Sequence, residues 1–265
     1  MSVREPVEVP GWDSHAEIVD EAFIDRAPRR PEVRDGLEWE CRLLPLIAPL
    51  LPLAVPVPYE VPADADGPWR VRHRTVRGSA ATPSALTRSD GLVVGDFLRS
   101  LHDVDLGALG LEPRVDSGLS ATLTRMESEV VPLLPAAVRE QGVGLIAEAR
   151  CATPSSLAHG DLGPAHLLVD AGRISGVIDW TDSCLRDPAI DLAWVLNGTP
   201  ETFRRGVREA YRPSDDDGRR ALIWHRLGPW HEVLHGVDRG DPGFVESGLA
   251  GAVGRLTGSD DRSAS

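Results

Sequence analysis

Residues 157–194 read LAHGDLGPAHLLVDAGRISGVIDWTDSCLRDPAIDLAW, and the order of residue types in this stretch decides the fold. Two short apolar runs, Leu167-Leu168-Val169 and Gly176-Val177-Ile178, flank Asp170-Ala171-Gly172-Arg173, whose composition is that of a tight hairpin turn. Asp161 precedes the first run and Asp179 ends the second. A hairpin here brings both carboxylates toward one end of the ribbon, as a two-carboxylate site needs. An isolated Asp after Gly is ordinarily a turn residue, and one at a strand end caps a turn; it is the joint placement that marks this pair.

On the N-terminal side, residues 7–78 have the texture of short strands around one helix. Ala16-Glu17-Ile18-Val19 and Ala22-Phe23-Ile24 form a hairpin pattern turning at Asp20-Glu21. A helix is predicted from about Glu32 to Leu44, after which Pro45, Pro49, Pro52, Pro56 and Pro58 argue against a long helix. Trp69 to Val76 alternates like a strand, ending at Gly78. From Thr87 the texture is helical, with Leu92, Val93, Phe97, Leu98 and Leu101 at helical spacing and further amphipathic segments from Ser117 to Glu148. Trp194, Trp224 and Trp230 fall on helical segments and read as core, with Trp224, Trp230 and His231 as candidates to line a pocket. The acidic run Asp215-Asp216-Asp217 reads as a solvated loop or helix start.

Composition narrows the function classes. A formal net charge of -13 and pI near 5.0 argue against a general nucleic-acid or anionic-membrane binder. All 28 basic residues are arginines, so any role that phosphate chemistry gives to lysine falls to arginine or is absent. Cys41, Cys151 and Cys184 show no CxxC or metal-ligand spacing. No signal-peptide pattern and no apolar run of spanning length occurs, so a cytoplasmic, soluble protein is expected. No G-x-x-x-x-G-K-[ST] loop exists, which excludes a P-loop ATPase.

Three short motifs in order, His159-Gly160-Asp161, Ile178-Asp179-Trp180 and Asp187-Pro188-Ala189-Ile190-Asp191, resemble those of the aminoglycoside phosphotransferase family, a branch of the protein-kinase-like fold. The closest pattern is that of its macrolide phosphotransferases, which share H-G-D-L-x-x-x-H and I-D-W-T. The likeness extends to Gly11-Trp12-Asp13 and to Arg26-Ala27-Pro28-Arg29-Arg30-Pro31-Glu32-Val33, and covers most of residues 11–254, more loosely outside the catalytic block. It implies an α+β, bilobal protein-kinase-like fold with a small β-rich N-lobe and a mainly helical C-lobe. The expected boundaries are 1–78 for the nucleotide-binding lobe with its hinge, 79–257 for the helical lobe, and 258–265 for a polar, disordered tail.

The implied reaction is transfer of a phosphoryl group from Mg²⁺-ATP or Mg²⁺-GTP to a hydroxyl of a small molecule, an antibiotic or related natural product. Asp161 would accept the hydroxyl proton and Asp179 would hold Mg²⁺. His166 stands where the family usually has a metal-binding Asn, so it either ligates metal or only packs and hydrogen-bonds. Arg26 aligns with the phosphate-contacting basic residue and Glu40 with its helical acidic partner. The third strand, with Asp25 and Ala27 beside Arg26, looks irregular. Phosphates are expected near Trp12, Asp13, Ser14 and His15, and the base near a hinge at Arg74 to Gly78 that includes Val76. Asp182 is a candidate substrate contact; His159 and Asp191 are read as structural supports, and His102 as packed under the catalytic loop. The alternatives are a kinase of choline, homoserine or sugar-like metabolites, and a non-catalytic nucleotide-binding pseudokinase. No nucleic-acid or membrane partner is expected, and a monomer is the default for the fold.

Overall fold

A computed structural model of the chain describes residues 4–6, 14–61, 69–116 and 118–258. Trp12, Asp13 and the polar tail after Gly258 lie outside them. The N-terminal part is built on a five-stranded antiparallel sheet in the order β1-β2-β3-β5-β4. Its strands are β1 (Arg4–Pro6), β2 (Ser14–Val19), β3 (Phe23–Pro28), β4 (Tyr59–Val61) and β5 (Arg70–Arg74). The β2–β3 turn is made by Asp20 and Glu21 at φ 51° and 56°, the paired positive φ values of a type I′ hairpin turn, which short acidic residues tolerate better than branched ones.

Strand alternation gives this sheet two distinct faces. Arg26 is paired with Val71 and Ile24 with His73, on one face; Phe23 is paired with Arg74, Asp25 with Arg72, and Tyr59 with Arg72, on the other. The first face is covered by α1 (Pro31–Ile47), whose Val33 and Leu37 pack on Val71. The register from Phe23 to Arg26 is unbroken, so β3 is more regular than its sequence suggests. Asp25 projects to the far face, where Arg72 Nη2 donates to it at 2.8 Å.

α1 runs three residues past Leu44 and through Pro45. Proline in a helix interior costs roughly 3 kcal/mol, and full burial of a leucine or isoleucine side chain stabilises by roughly 1.5–3 kcal/mol. Leu43, Leu44 and Ile47 are all fully buried in the main core, and together they outweigh the proline. After Leu50 the proline-rich chain is irregular and lays Ala54 against Gly176.

The C-terminal part is mainly helical: α2 (Arg88–His102), α3 (Leu119–Arg125), α4 (Ala136–Arg150), α5 (Ala189–Asn197), α6 (Glu201–Tyr211), α7 (Asp215–Arg239) and α8 (Pro242–Thr257). The acidic run 215–217 starts α7, where Ser214 and Asp217 form a capping box. Against these helices lie two small sheets. One joins β6 (Ser79–Ala80), β8 (Leu167–Asp170) and β9 (Arg173–Val177); the other pairs β7 (Ser156–Ala158) with β10 (Cys184–Arg186). β8 and β9 form the expected hairpin, turning through Ala171 and Gly172 at φ 48° and 75°. Trp230 and Phe97 are fully buried and Trp224 nearly so, so of the three pocket candidates only His231 is exposed.

α2 and α6 meet backbone to backbone. A Cβ at Gly91 would lie 2.1 Å from the Phe203 carbonyl oxygen, and one at Gly206 2.2 Å from that of Arg88. Gly91→Ala is therefore expected to lower unfolding free energy by about 1–3 kcal/mol, as overpacking does. Gly144→Ala, on exposed α4 with nothing within 4 Å, is expected to raise it by about 0.5–1 kcal/mol. Urea unfolding of the two variants checks both signs.

Candidate active site

The loop between β7 and β8 is held from below by one carboxylate. Asp191, in the first turn of α5 and fully buried, accepts from the backbone N–H of His159 (2.8 Å) and of Gly160 (2.9 Å). His102 Nε2 donates to the same carboxylate at 3.1 Å, and the Tyr211 hydroxyl donates to His102 Nδ1 at 2.8 Å. Burial pushes the Asp191 carboxyl up, but the His102 bond and the surrounding donors bring it below the usual range. His159 is itself buried; its Nε2 donates to the Ile178 carbonyl (3.0 Å) and its Nδ1 accepts from the Asp161 N–H (3.3 Å). Burial lowers its pKa, consistent with a neutral ring that locks the loop to the end of β9.

This scaffold presents Asp161 and Asp179 to opposite nitrogens of one imidazole. His166 Nδ1 lies 3.5 Å from Asp161 Oδ2, and Nε2 lies 3.7 Å from Asp179 Oδ2. Nδ1 also donates to the Asp161 backbone carbonyl at 2.7 Å. A carbonyl accepts only, so Nδ1 carries hydrogen and, in the neutral ring, Nε2 keeps its lone pair toward Asp179. Asp161 has 63% of its side-chain surface exposed. Surrounding protein nevertheless pushes its carboxyl up to about 6, opposed by His166 and Arg186 and assisted by Asp182 and Asp179. For Asp179 burial acts upward too, but Arg26 first, then His166, His159 and a Thr181 hydrogen bond, bring it below the usual range. Asp179 adopts φ 64°, a conformation that non-glycine residues keep only where their surroundings over-determine it.

Arg26 spans the cleft between the sheet and the hairpin. Its Nη1 donates to both oxygens of Glu40 on α1 (3.1 and 2.9 Å), and its Nη2 donates to Thr181 Oγ1 (2.9 Å) and Asp179 Oδ1 (3.4 Å). Its Nε faces Ser14 Oγ at 3.4 Å. The Thr181 hydroxyl in turn lies 2.9 Å from Glu40 Oε1. Glu40 is fully buried, and burial raises its pKa against the pull of Arg26.

The remaining expected residues fall in different places. Ser14 shares the Arg26 face, whereas period-two alternation turns His15 outward, where it is exposed; the structure thus removes the His15 side chain from the cleft. Val76 packs toward Gly176 and Ala54, whose atoms a Cβ on Gly176 would strike. Asp182 is exposed near Asp161 and Arg186. His231 is also exposed, yet its pKa is lowered by surrounding protein and by Arg186, with Asp116 opposing.

Several contacts were not singled out from sequence. Thr181, visible only as the last letter of the I-D-W-T pattern, is the junction of Arg26, Glu40 and Asp179. Arg114 Nη1 donates to the Thr181 carbonyl at 2.7 Å. Arg186 lies against the Gly160 carbonyl (Nη1, 3.3 Å) and pairs with Asp116 (2.8 Å). Arg186 immediately precedes Asp187-Pro188, a charge in a buried turn that could have been questioned.

The donor set fits a hard divalent cation. Asp179 Oδ2 and His166 Nε2 face each other across 3.7 Å and are both acceptors when the ring carries hydrogen on Nδ1 alone, and Mg²⁺ is typically held by one or two carboxylates together with waters and substrate phosphates. A carboxylate is the natural direct ligand, and an imidazole suits a water of the ion's shell. Among the described residues no group of three or more His, Cys, Asp or Glu side chains is arranged to hold a metal ion.

A cleft between a small antiparallel sheet and a helical body, with a buried arginine–glutamate pair on one wall and two aspartates on the other, defines a kinase-like phosphotransferase. The pattern of the phosphotransferase enzyme family (APH) matches residues 11–225, and the chain belongs to that family. The backbone superposes on the GDP and kanamycin complex of APH(2″)-IIIa with TM-score 0.81 at 22% identity, covering 97% of this chain and 93% of that one. It superposes on apo macrolide 2′-phosphotransferase MphH from Brachybacterium faecium with TM-score 0.69 at 25% identity, covering 94% and 91%. For macrolide 2′-phosphotransferase type I the TM-score is 0.70 at 23% identity, covering 93% and 89%. A 53-residue stretch is 49% identical to uncharacterized protein YcbJ of Bacillus subtilis (strain 168); it spans 19% of this chain and 17% of that protein. Among the described residues no helix is long and apolar enough to cross a membrane.

Arg26→Met leaves the Glu40 carboxylate buried and unpaired and is expected to lower unfolding free energy by about 3 kcal/mol. The double change Arg26→Met with Glu40→Leu is expected to cost much less than the sum of the two single changes. A double-mutant cycle by urea unfolding reads the coupling.

Proposed function

We propose that this protein moves the γ-phosphoryl group of a Mg²⁺-nucleoside triphosphate, ATP or GTP, to a hydroxyl of a small molecule of the antibiotic or related natural-product class. The observation that carries this reading is the placement of Asp161 and Asp179 on the two sides of the His166 ring. Asp161 is the open carboxylate of the pair, at the mouth of a rigid loop, and accepts the proton of the attacking hydroxyl. The acceptor oxygen forms its bond to the γ-phosphorus as the bond from phosphorus to the β–γ bridging oxygen breaks, releasing nucleoside diphosphate. Arg26 lies on the nucleotide side of Asp179 and orients the phosphates; Asp179, with His166 beside it, would hold the Mg²⁺. When bound, that ion supplies neutralisation of the charge on the phosphate oxygens.

Family membership supports phosphoryl transfer, and the aminoglycoside and macrolide enzymes that share the fold support the acceptor class. Asp182, exposed beside Asp161, and His231, exposed within the field of Arg186 and Asp116, are the residues proposed to meet the acceptor. The lobe division proposed for this reaction places the nucleotide between residues 1–78 and 79–257.

Purified wild type and Asp161→Ala are to be incubated with Mg²⁺, ATP or GTP, and a panel of hydroxyl-bearing antibiotics, each acceptor being read by mass. The expected result is one added phosphate with wild type and a loss of about 10³-fold or more in Asp161→Ala, with nucleotide binding retained. Transfer that survives Asp161→Ala would overturn the assignment of the base. Nucleotide binding by wild type with transfer only to choline-, homoserine- or sugar-like acceptors would replace the antibiotic acceptor by a metabolite.

A further inference from the structure

The largest cavity among those described, about 720 Å³, is not in the Asp161–Asp179 cleft. It lies behind the linker that follows β5, walled by Phe23, Val55, Val57 and Tyr59 and by residues 74–77 of the linker itself, so that the hinge expected to meet the base on its cleft side, Val76 included, forms one wall of this cavity. Strand parity fixes its side of the sheet: Phe23 and Arg74 are register partners, one residue out of phase with Ile24 and His73, and so face away from Arg26. Tyr59, partner of Arg72, joins them on the far face. The floor is stitched by the Ser175 hydroxyl donating to the Arg77 carbonyl at 2.7 Å and by the Val177 N–H donating to the Ala54 carbonyl at 2.9 Å.

The lining has an unusual chemistry for this chain. Acidic residues outnumber basic ones 41 to 28, and Arg72 nearby is paired with Asp25. Arg74 and Arg77 are exposed and have no carboxylate partner among the described residues. The Arg74 guanidinium lies 5.2 Å from the Phe23 ring centroid, in cation–π range. Tyr59 and Val57, 51% and 37% exposed, leave apolar surface open to solvent at the same place. Two guanidiniums with no carboxylate partner among the described residues, beside aromatic and aliphatic walls and in a volume within the range of small-molecule pockets, are complementary to one kind of ligand.

We propose that this cavity is a second ligand site, separate from the nucleotide cleft, for a planar aromatic anion whose ring lies against Phe23, Tyr59 and Val57 and whose carboxylate, sulfonate or phosphate meets Arg74 and Arg77. Charge-assisted hydrogen bonds of arginine to such groups are the stronger kind, and ring burial covers the exposed apolar wall. The proposal is independent of the phosphotransferase reading and stands or falls without it.

The test uses the full chain and 8-anilinonaphthalene-1-sulfonate as probe, followed by fluorescence and titration calorimetry. The expected result is saturable one-to-one binding that persists with the nucleotide cleft saturated by Mg²⁺-ATP or Mg²⁺-GTP. Arg74→Ala and Arg77→Gln are each expected to weaken it by about tenfold, the loss of one charged contact, with unchanged urea midpoints because both side chains are exposed. Should one variant prove unstable, the other gives the same reading, and Val57→Glu, which places a like charge in the wall, is expected to abolish binding. Absence of saturable binding, indifference to the arginine changes, or competitive displacement by nucleotide would overturn the proposal.

Discussion

The guanidinium of Arg26 is the point on which the relation between sheet, helix and hairpin depends. It is rooted in β3, neutralised by Glu40 of α1, and hydrogen-bonded to Thr181 beyond the end of β9. Three segments far apart in sequence thus share one buried charge network. Such a network contributes less through net ion-pair energy than through the penalty of any arrangement that leaves Glu40 unpaired in the interior. Close packing reinforces it: a Cβ on Gly36 of α1 would lie 2.5 Å from Thr181 Cγ2, and Trp39 Nε1 donates to Ser183 Oγ at 3.1 Å. α1 is therefore fixed against the loop after Asp179 on successive turns, and the small sheet follows it.

Asp191 does the corresponding work on the other side of the cleft. A carboxylate is ordinarily costly in an interior, but this one receives two backbone N–H groups and an imidazole N–H, which is the coordination a buried anion needs. The two backbone donors belong to consecutive residues, His159 and Gly160, so the peptide plane leading into Asp161 is held in one orientation. Gly160 at φ 88°, with Arg186 and the Asp182 carbonyl 2.9 Å from where a Cβ would sit, leaves room for no other residue. The Asp161 carboxylate, the proposed base, is exposed, but the backbone that leads into it is tied down at the two preceding residues.

How much of this was legible in the sequence follows the range of the interactions. The β2–β3 and β8–β9 hairpins were readable because turn chemistry is local: Asp20-Glu21 and Ala171-Gly172 are the residues at positive φ. The end of α1 was not, since the cost of Pro45 is local whereas the burial of Leu43, Leu44 and Ile47 that overrides it is tertiary. The Arg26–Glu40 contact came only through family resemblance. The Thr181–Glu40 contact bridges 141 positions and leaves no periodic trace. The outward direction of the His15 side chain was missed for another reason: naming a run of residues near the phosphates ignores strand parity, and one step along β2 exchanges the face Ser14 shares with Arg26 for the outer face.

The absence of lysine gives this cleft a particular constraint. A lysine ammonium has three donors on a flexible stem, whereas the Arg26 guanidinium has five in a fixed fork. In this state all five have targets: Nε toward Ser14, both Nη1 hydrogens to Glu40, and Nη2 to Thr181 and Asp179. Contact with a phosphate oxygen therefore requires exchange of an existing bond. The bonds to buried Glu40 are short and costly to break; the bond to Asp179, at 3.4 Å, is long and its acceptor is half exposed. In the proposed reaction Nη2 would thus be the donor that turns, and Arg26 would meet a phosphate while remaining paired with Glu40, because the planar fork divides its hydrogens between two partners as a single ammonium does less well.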